Sequence, residues 1–282
     1  MDSIRLKARA KINLGLDVLG KRENGYHDVR MVMQTVGIYD RLIITKIPED
    51  EIRININLKF LPVNENNLIY KAYKLMKDEY GFSGGIDVDL NKFIPIAAGM
   101  AGGSTDAAST MFAINRLFEL GLSNEELMKQ GVKIGADVPY CIMRGTALAE
   151  GIGEKLTKLS PMPHCHIVVA KPPINVSTKM VYESLDAGAI TKHPDIDAII
   201  EGDVKKVAER MGNVLEDVTV PMYPVIAKIK NDMISQGAYN AMMSGSGPTV
   251  FGIFPDEQTA LKCKEYLKAQ EDARQVYITE TF

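Results

Sequence analysis

Three cysteines in 282 residues, Cys141, Cys165 and Cys263, are too few and too far apart for a disulfide framework, and none stands in a C-x-x-C spacing that would hold zinc. They read as buried thiols in a reducing compartment. No run approaches the ~18 apolar residues of a membrane helix, and Met1-Asp2-Ser3-Ile4-Arg5-Leu6-Lys7 has no apolar core of a signal peptide, so a cytoplasmic location is expected. Strong charge of one sign is also missing. A net charge of -3 and a pI of about 5.9 give no general attraction to nucleic acid or to an anionic membrane, so any anion must be bound locally. Internal repeats and low-complexity tracts are absent. What is present is ordinary soluble composition, 46% hydrophobic and 24% charged, in a chain long enough for two domains. The linker-like Ser160-Pro161-Met162-Pro163 places the expected boundary between domains 1–160 and 161–282.

The most informative stretch is Pro95-Ile96-Ala97-Ala98-Gly99-Met100-Ala101-Gly102-Gly103-Ser104-Thr105-Asp106-Ala107-Ala108. It joins an alternating apolar run to a helical one through small residues. Its glycines let backbone approach a bound group, and Ser104, Thr105 and Asp106 are residue types that open helices. The expected product is a row of unpaired N–H donors at the positive end of a helix, which suits phosphate. Gly103-Ser104-Thr105 lacks the lysine of the usual phosphate loop, and Gly99, Gly102 and Gly103 do not form G-x-G-x-x-G. A tight strand-to-helix turn packed with small residues is the alternative.

Elsewhere the chain alternates between strand and helix patterns. Leu6, Ala8, Ala10, Ile12, Leu14, Leu16 and Val18 share one face of a strand, with Lys7, Arg9, Lys11, Asn13 and Asp17 on the other. Lys11 and Asn13 are then solvated unless a second layer covers them. Asn24-Gly25 marks a hairpin, followed by Tyr26, His27 and a strand running through Val36; residues 41–47 and 52–58 alternate again. Asn66 or Asn67 caps a helix reaching Tyr80 with Gly81 beyond it, Ile86, Val88 and Leu90 make a strand, and a helix follows over 104–120. Ser123-Asn124-Glu125-Glu126 is a capping box for a helix ending near Gly135. Pro139 is expected to end helical geometry and push Val138 to an extended form, leaving Asp137 on a corner, as a turn former or as a reactive carboxylate.

Residues 145–154 read as a hairpin, 165–170 as a strand stopped by Pro172-Pro173, and 178–185, 204–210, 223–236 and 256–269 as helices. Two strands flank Ser244-Gly245-Ser246-Gly247-Pro248, and 275–279 is a last strand. Helices and strands mix in this half as in an α+β sandwich of the ferredoxin-like sort. His164 and His166 share a strand face and read as structural.

Phosphoryl transfer needs phosphate donors, a cation and a group to orient or deprotonate the attacking hydroxyl. The glycine loop, Lys11 and Asp137 offer one of each. Their order is specific: Ala10-Lys11-Ile12-Asn13-Leu14, then Pro95 to Ala108, then Gly135-Ala136-Asp137-Val138-Pro139, then Met243-Ser244-Gly245-Ser246-Gly247. Over nearly the whole chain this resembles the GHMP kinases, named for galactokinase, homoserine kinase, mevalonate kinase and phosphomevalonate kinase. The resemblance implies a two-domain α+β fold with a ribosomal S5-like N-terminal domain and a ferredoxin-like C-terminal domain.

It also implies ATP as phosphoryl donor on Pro95, Ile96, Ala97, Ala98, Gly99, Met100, Ala101, Gly102, Gly103, Ser104 and Thr105, with Asn67 and Lys92 near adenine. Ala97 and Ala98 depart from the glycine-richest form of that loop. Mg²⁺ would arrive with ATP, because no acidic pair marks a dedicated cage. Lys11 and Asp137 would be the catalytic pair, Asp137 as base and Lys11 as charge stabiliser. Gly25-Tyr26-His27, Asn67-Leu68-Ile69 and Glu150-Gly151-Ile152-Gly153-Glu154 resemble the branch whose small-molecule substrate is a cytidine-diphosphate-linked methylerythritol. In that branch Tyr26 and Tyr182 would sandwich the cytosine, His27 would read its edge, and Asn13 and Thr178 would hold the substrate, in a monomer or homodimer. A homoserine or mevalonate kinase, and a non-catalytic nucleotide- or RNA-binding module, are the alternatives; the acidic pI argues against RNA.

Overall fold

The computed structural model describes residues 2–282, which form two compact units, each discontinuous in sequence. The first comprises the residues up to Ala10, Ile38–Ile94 and Ala101–Arg144; the second comprises Lys11–Gly37, Pro95–Met100 and Gly145–Phe282. Two long strands contribute to both: β1 (Ser3–Lys21) and β2 (His27–Ile47).

In the first unit the sheet order is β3 (Ile52–Ile56), β4 (Gly85–Asn91), β2, β1, with β3 parallel and β2 antiparallel to β4. Helices α1 (Leu68–Tyr80) and α2 (Gly102–Leu117) pack on each other, and α3 (Asn124–Gly131) and α4 (Val138–Met143) pack together, with α4 also on α2. Local chemistry sets the ends. Asn67 caps α1 by accepting from the Ile69 N–H at 2.9 Å, and Gly81 closes it in the left-handed region at φ 61°. Ser123 and Glu126 make the reciprocal capping box of α3.

In the second unit β1 pairs in parallel with β8 (Gly212–Asn213), and β2 pairs with β5 (Thr146–Gly151), which pairs with β6 (Lys155–Lys158). A separate antiparallel sheet runs β11 (Gln275–Glu280), β7 (His166–Lys171), β10 (Val250–Phe254), β9 (Asn240–Met243). Helices α8 (Val225–Ser235) and α9 (Glu257–Ala269) pack against it, giving the β-α-β-β-α-β order of a ferredoxin-like layer. The shorter helices α5 (Thr178–Ser184), α6 (Val204–Arg210) and α7 (Glu216–Met222) complete the unit. The three cysteines are buried, and none forms a disulfide among the described residues. No helix among the described residues is long and apolar enough to cross a membrane.

Four expectations need correction. The runs ending at Val36 and starting at Arg41 are one strand. Gly37 is no break there: a side chain on it would meet the Thr279 hydroxyl at 2.9 Å, so glycine serves a close approach. Helix α2 opens at Gly102 rather than Ser104, behind Ala101 at φ 56°, and no side chain caps it. Pro139 does not end helical geometry. It sits in the first turn of α4, where its missing N–H costs no helical bond. Helix α7 lies where the sequence pattern assigns no element, and it carries Pro221 near its end.

Candidate active site

In the second unit several of the candidate residues are joined by a continuous line of contacts. It starts on β1, where Lys11 and Asn13 are 5% and 0% exposed, so the face that alternation alone leaves open to solvent is covered. The Lys11 backbone N–H donates to the Met100 carbonyl at 3.2 Å, tying β1 to the glycine loop. The Lys11 ammonium donates to Asn13 Oδ1 at 2.7 Å, and the Asn13 amide reaches Met31 Sδ at 3.4 Å. The Lys11 ammonium is therefore held by a residue of its own strand.

Pro95–Met100 turns through the left-handed region at Ala97 (φ 50°) and Gly99 (φ 67°). At Ala97 this conformation costs on the order of 1–2 kcal/mol. Gly99 is required for a second reason: a Cβ there would lie 2.1 Å from the Ser244 carbonyl oxygen. The second glycine motif, Ser244 to Gly247, packs directly on that point. Its Ser244 hydroxyl donates to the Gly99 carbonyl at 3.1 Å, and Gly245 (φ 59°) lies against both Gly99 and Asn13 Oδ1. Substituting Gly99 by alanine is expected to destabilise the protein by roughly 2–4 kcal/mol, from an unfavourable φ plus overpacking. Chemical denaturation measures it, and a change within ~0.5 kcal/mol would show that the two glycine loops do not abut as described.

From the same motif Ser246 Oγ meets Thr178 Oγ1 at 2.8 Å. Thr178 is the first residue of α5, which Ser177 caps by accepting from the Met180 N–H. One turn on, the Tyr182 ring meets the His27 ring at a centroid distance of 5.2 Å and a tilt of 38°. His27 is buried, and burial first, then Lys21, lowers its pKa. A neutral imidazole keeps one donor and one acceptor. Tyr26 stands beside it on the Asn24-Gly25 turn with its ring 59% exposed.

In the first unit Gly102 and Gly103 form the opening of α2, whose first bond is Thr105 N–H to Ala101 O at 2.9 Å. A 16-residue helix that begins with side-chain-free residues and no side-chain cap presents donors that match a polyphosphate. Ser104 and Thr105 lie within the first turn and do not cap it. Lys92 passes just under Gly102, and its ammonium binds Asp40 at 2.5 Å and Asp106 at 2.6 Å. All three side chains are buried, at 3%, 0% and 5% exposure. Asp40 also accepts from the Phe93 and Ile94 N–H groups, at 2.6 and 2.8 Å, while Asp106 Oδ1 has no partner. Desolvation, partly offset by Lys92, pushes Asp106 up to about 8, and the two carboxylates raise the Lys92 pKa.

Asp40 and Asp106 were not among the sequence-predicted site residues. Each nevertheless occupies a core-facing slot: Asp40 alternates with Ile38 and Leu42, and Asp106 shares the buried stripe of Ala113 and Leu117. The side chain of Asn67 is engaged structurally, capping α1 and donating to the Pro62 carbonyl at 2.7 Å. Asp137 is half-buried at the N-cap position of α4 and makes no cap bond with its side chain. Among the described residues no group of three or more His, Cys, Asp or Glu is arranged to hold a metal ion, and His164 and His166 instead face Glu280.

Comparison with known proteins gives the family. The GHMP kinases N terminal domain matches residues 67–145, and the GHMP kinases C terminal domain matches residues 195–273. A protein of Lachnospira eligens named 4-diphosphocytidyl-2-C-methyl-D-erythritol kinase is 71% identical over 100% of this chain and 99% of its own length. The chain belongs to the GHMP kinases. A second relative of the same name, from Lachnoclostridium phytofermentans, is 53% identical over 100% of this chain and 98% of its own. Among solved structures, a 4-(cytidine 5'-diphospho)-2C-methyl-D-erythritol kinase superposes with a TM-score of 0.87 at 29% identity, covering 99% of both chains. A homoserine kinase of Cytophaga hutchinsonii superposes at 0.78 with 20% identity, over 99% of this chain and 95% of its own, a likeness of fold. Both matched regions together contain α2, Asp137 and the second glycine motif.

Proposed function

We propose that this chain transfers the γ-phosphoryl group of ATP to the 2-hydroxyl of 4-diphosphocytidyl-2-C-methyl-D-erythritol, in the cytoplasm, as a step of non-mevalonate isoprenoid precursor synthesis. One observation carries the reading: a bonded line runs from Lys11 through Met100, Gly99, Ser244, Ser246 and Thr178 to α5 and the Tyr182–His27 ring pair. That line supports the reading because it joins a strand cation, the Pro95–Met100 turn, the second glycine motif and an aromatic pair suited to a planar base within one compact unit.

ATP bound with Mg²⁺ supplies the phosphoryl group and the metal charge that screens it. Residues 95–105 hold the phosphates through backbone N–H groups, with Asn67 and Lys92 toward the adenine side. Asn13 Oδ1 holds the Lys11 ammonium, which stabilises charge on the substrate oxygen and on the group in flight. Asp137 accepts the hydroxyl proton; its carboxylate is not spent on capping α4. Tyr26 and Tyr182 stack on the cytosine, neutral His27 reads its edge, and Thr178 and Asn13 hold the polyol.

Replacing Tyr182 by alanine is expected to weaken binding of the cytidine substrate by about 1–3 kcal/mol, the value of a stacking platform, with little change for ATP. Steady-state kinetics check it, and an unchanged KM for the cytidine substrate removes Tyr182 from base recognition. The position of the new phosphate tests the reaction itself. The 2-carbon carries a methyl group and no hydrogen, so the product phosphorus should show no three-bond coupling to a carbinol proton. Such coupling would mean that another hydroxyl is the acceptor.

A further inference from the structure

The segment Asn213-Val214-Leu215-Glu216 lies outside the four family-like motifs, yet it grips one of them. Asn213 on β8 is 7% exposed. Its amide donates to two carbonyls of the second glycine motif, Met243 O at 2.9 Å and Gly245 O at 2.8 Å, while its Oδ1 accepts from the Leu215 N–H at 3.0 Å. At the first residue of α7, Glu216 Oε1 accepts from the Met243 N–H at 2.7 Å, and its other oxygen is held by Lys230. All hydrogen-bonding capacity of the Asn213 amide group facing the loop is therefore used on the residues on either side of Ser244.

Ser244 is the residue whose carbonyl and hydroxyl both press on Gly99. Gly245 is held at φ 59° with no side chain to wedge it, so its position depends on what binds its carbonyl. We propose that Asn213, supported by Glu216, is a positioning residue for nucleotide binding. It fixes the Ser244 turn, and through that turn it fixes the backbone of the Pro95–Met100 loop. The proposal rests on the reading of that loop as the ATP phosphate cradle. It predicts a split between the two substrates, because the clamp reaches Gly99 directly through Ser244, while it reaches the cytosine-reading rings only through Ser246, Thr178 and a turn of α5.

The variant N213D keeps the shape of the side chain but cannot donate to two carbonyls. N240D is the matched control: Asn240 in the same unit likewise donates to a carbonyl, Ala208 O at 2.8 Å, but it does not touch the glycine motif. In the full-length enzyme N213D is expected to raise the KM and the calorimetric Kd for MgATP at least ~10-fold, while KM for the cytidine substrate stays within ~2-fold. N240D should leave both unchanged. A wild-type Kd for MgATP in folded N213D overturns the proposal, and so does an equal loss in N240D. If N213D is insoluble, N213S, which also loses both bonds, is held to the same criteria. Calorimetry with MgATP needs no acceptor, so a wild-type enzyme inactive on the cytidine substrate would refute the proposed reaction, while the Kd ratio would still judge the clamp.

Discussion

Asp137→Ala should lower kcat by at least ~10²-fold while leaving the Kd for MgATP within about twofold, the range expected when a general base is lost and binding contacts are kept. The argument begins with α4. Pro139 occupies its first turn, so the helix needs no donor there, and Asp137 at the N-cap position makes no side-chain cap bond. Removing its carboxylate therefore leaves α4 its own hydrogen bonds. Aspartate at an N-cap is often worth ~1 kcal/mol to a helix, but only when its side chain accepts from N2 or N3. Single-turnover kinetics alongside calorimetry give the split, and near-normal turnover would exclude Asp137 from proton transfer.

Lys92→Met is expected to destabilise the fold by about 3–5 kcal/mol, the usual cost of leaving buried charge without its partner. The Asp40 side chain then stands in a site with almost no exposure and no cation, beside the Asp106 carboxyl that burial keeps protonated. Asp40 retains its bonds from the Phe93 and Ile94 N–H groups; Asp106 retains nothing on Oδ1. Asp106→Asn should differ from wild type by less than about 1 kcal/mol, because the amide stands in for a carboxyl that burial already keeps protonated.

The sign of the pH dependence follows. Asp106 is raised to about 8 from an ordinary value of 3.8, so between these values the folded state binds a proton that the unfolded state does not. Stability from this group is present at the acid end and declines as pH rises through that window, by up to about 1.4 kcal/mol per unit. Denaturation from pH 6 to 8.5 should show a steeper loss in wild type than in Asp106→Asn. Equal slopes would mean that Asp106 is ionised throughout.

Much of the fold is legible in local chemistry. The capping box at Ser123, the Asn67 cap with Gly81, and the alternation along β1 each specify an element without help from tertiary contacts. Legibility fails where a residue has two uses. Pro139 and Pro221 stop helices in one position and are accepted in another, and only the surrounding packing decides which. The left-handed backbone at Ala97 and Ala101 has no signal in residues that avoid that region, because it is imposed by the loop as a whole.

The site divides in the same way. Lys11, Asp137 and the glycine motifs stand out as candidates because their spacing and order are specific, whereas Asp40, Asp106 and Asn213 make long-range bonds that no local pattern announces. Asp106 even carries a misleading signal. It looks like a helix opener, and it is instead a buried partner of Lys92.

The most direct test of the whole account is ADP release with MgATP against a panel of acceptors: 4-diphosphocytidyl-2-C-methyl-D-erythritol, free methylerythritol phosphate, homoserine, mevalonate and galactose. Turnover with the first alone is the predicted result, since it requires both the phosphoryl-transfer residues and the cytosine-reading rings. Turnover with homoserine, mevalonate or galactose, or silence with the cytidine compound while MgATP still binds, would contradict it.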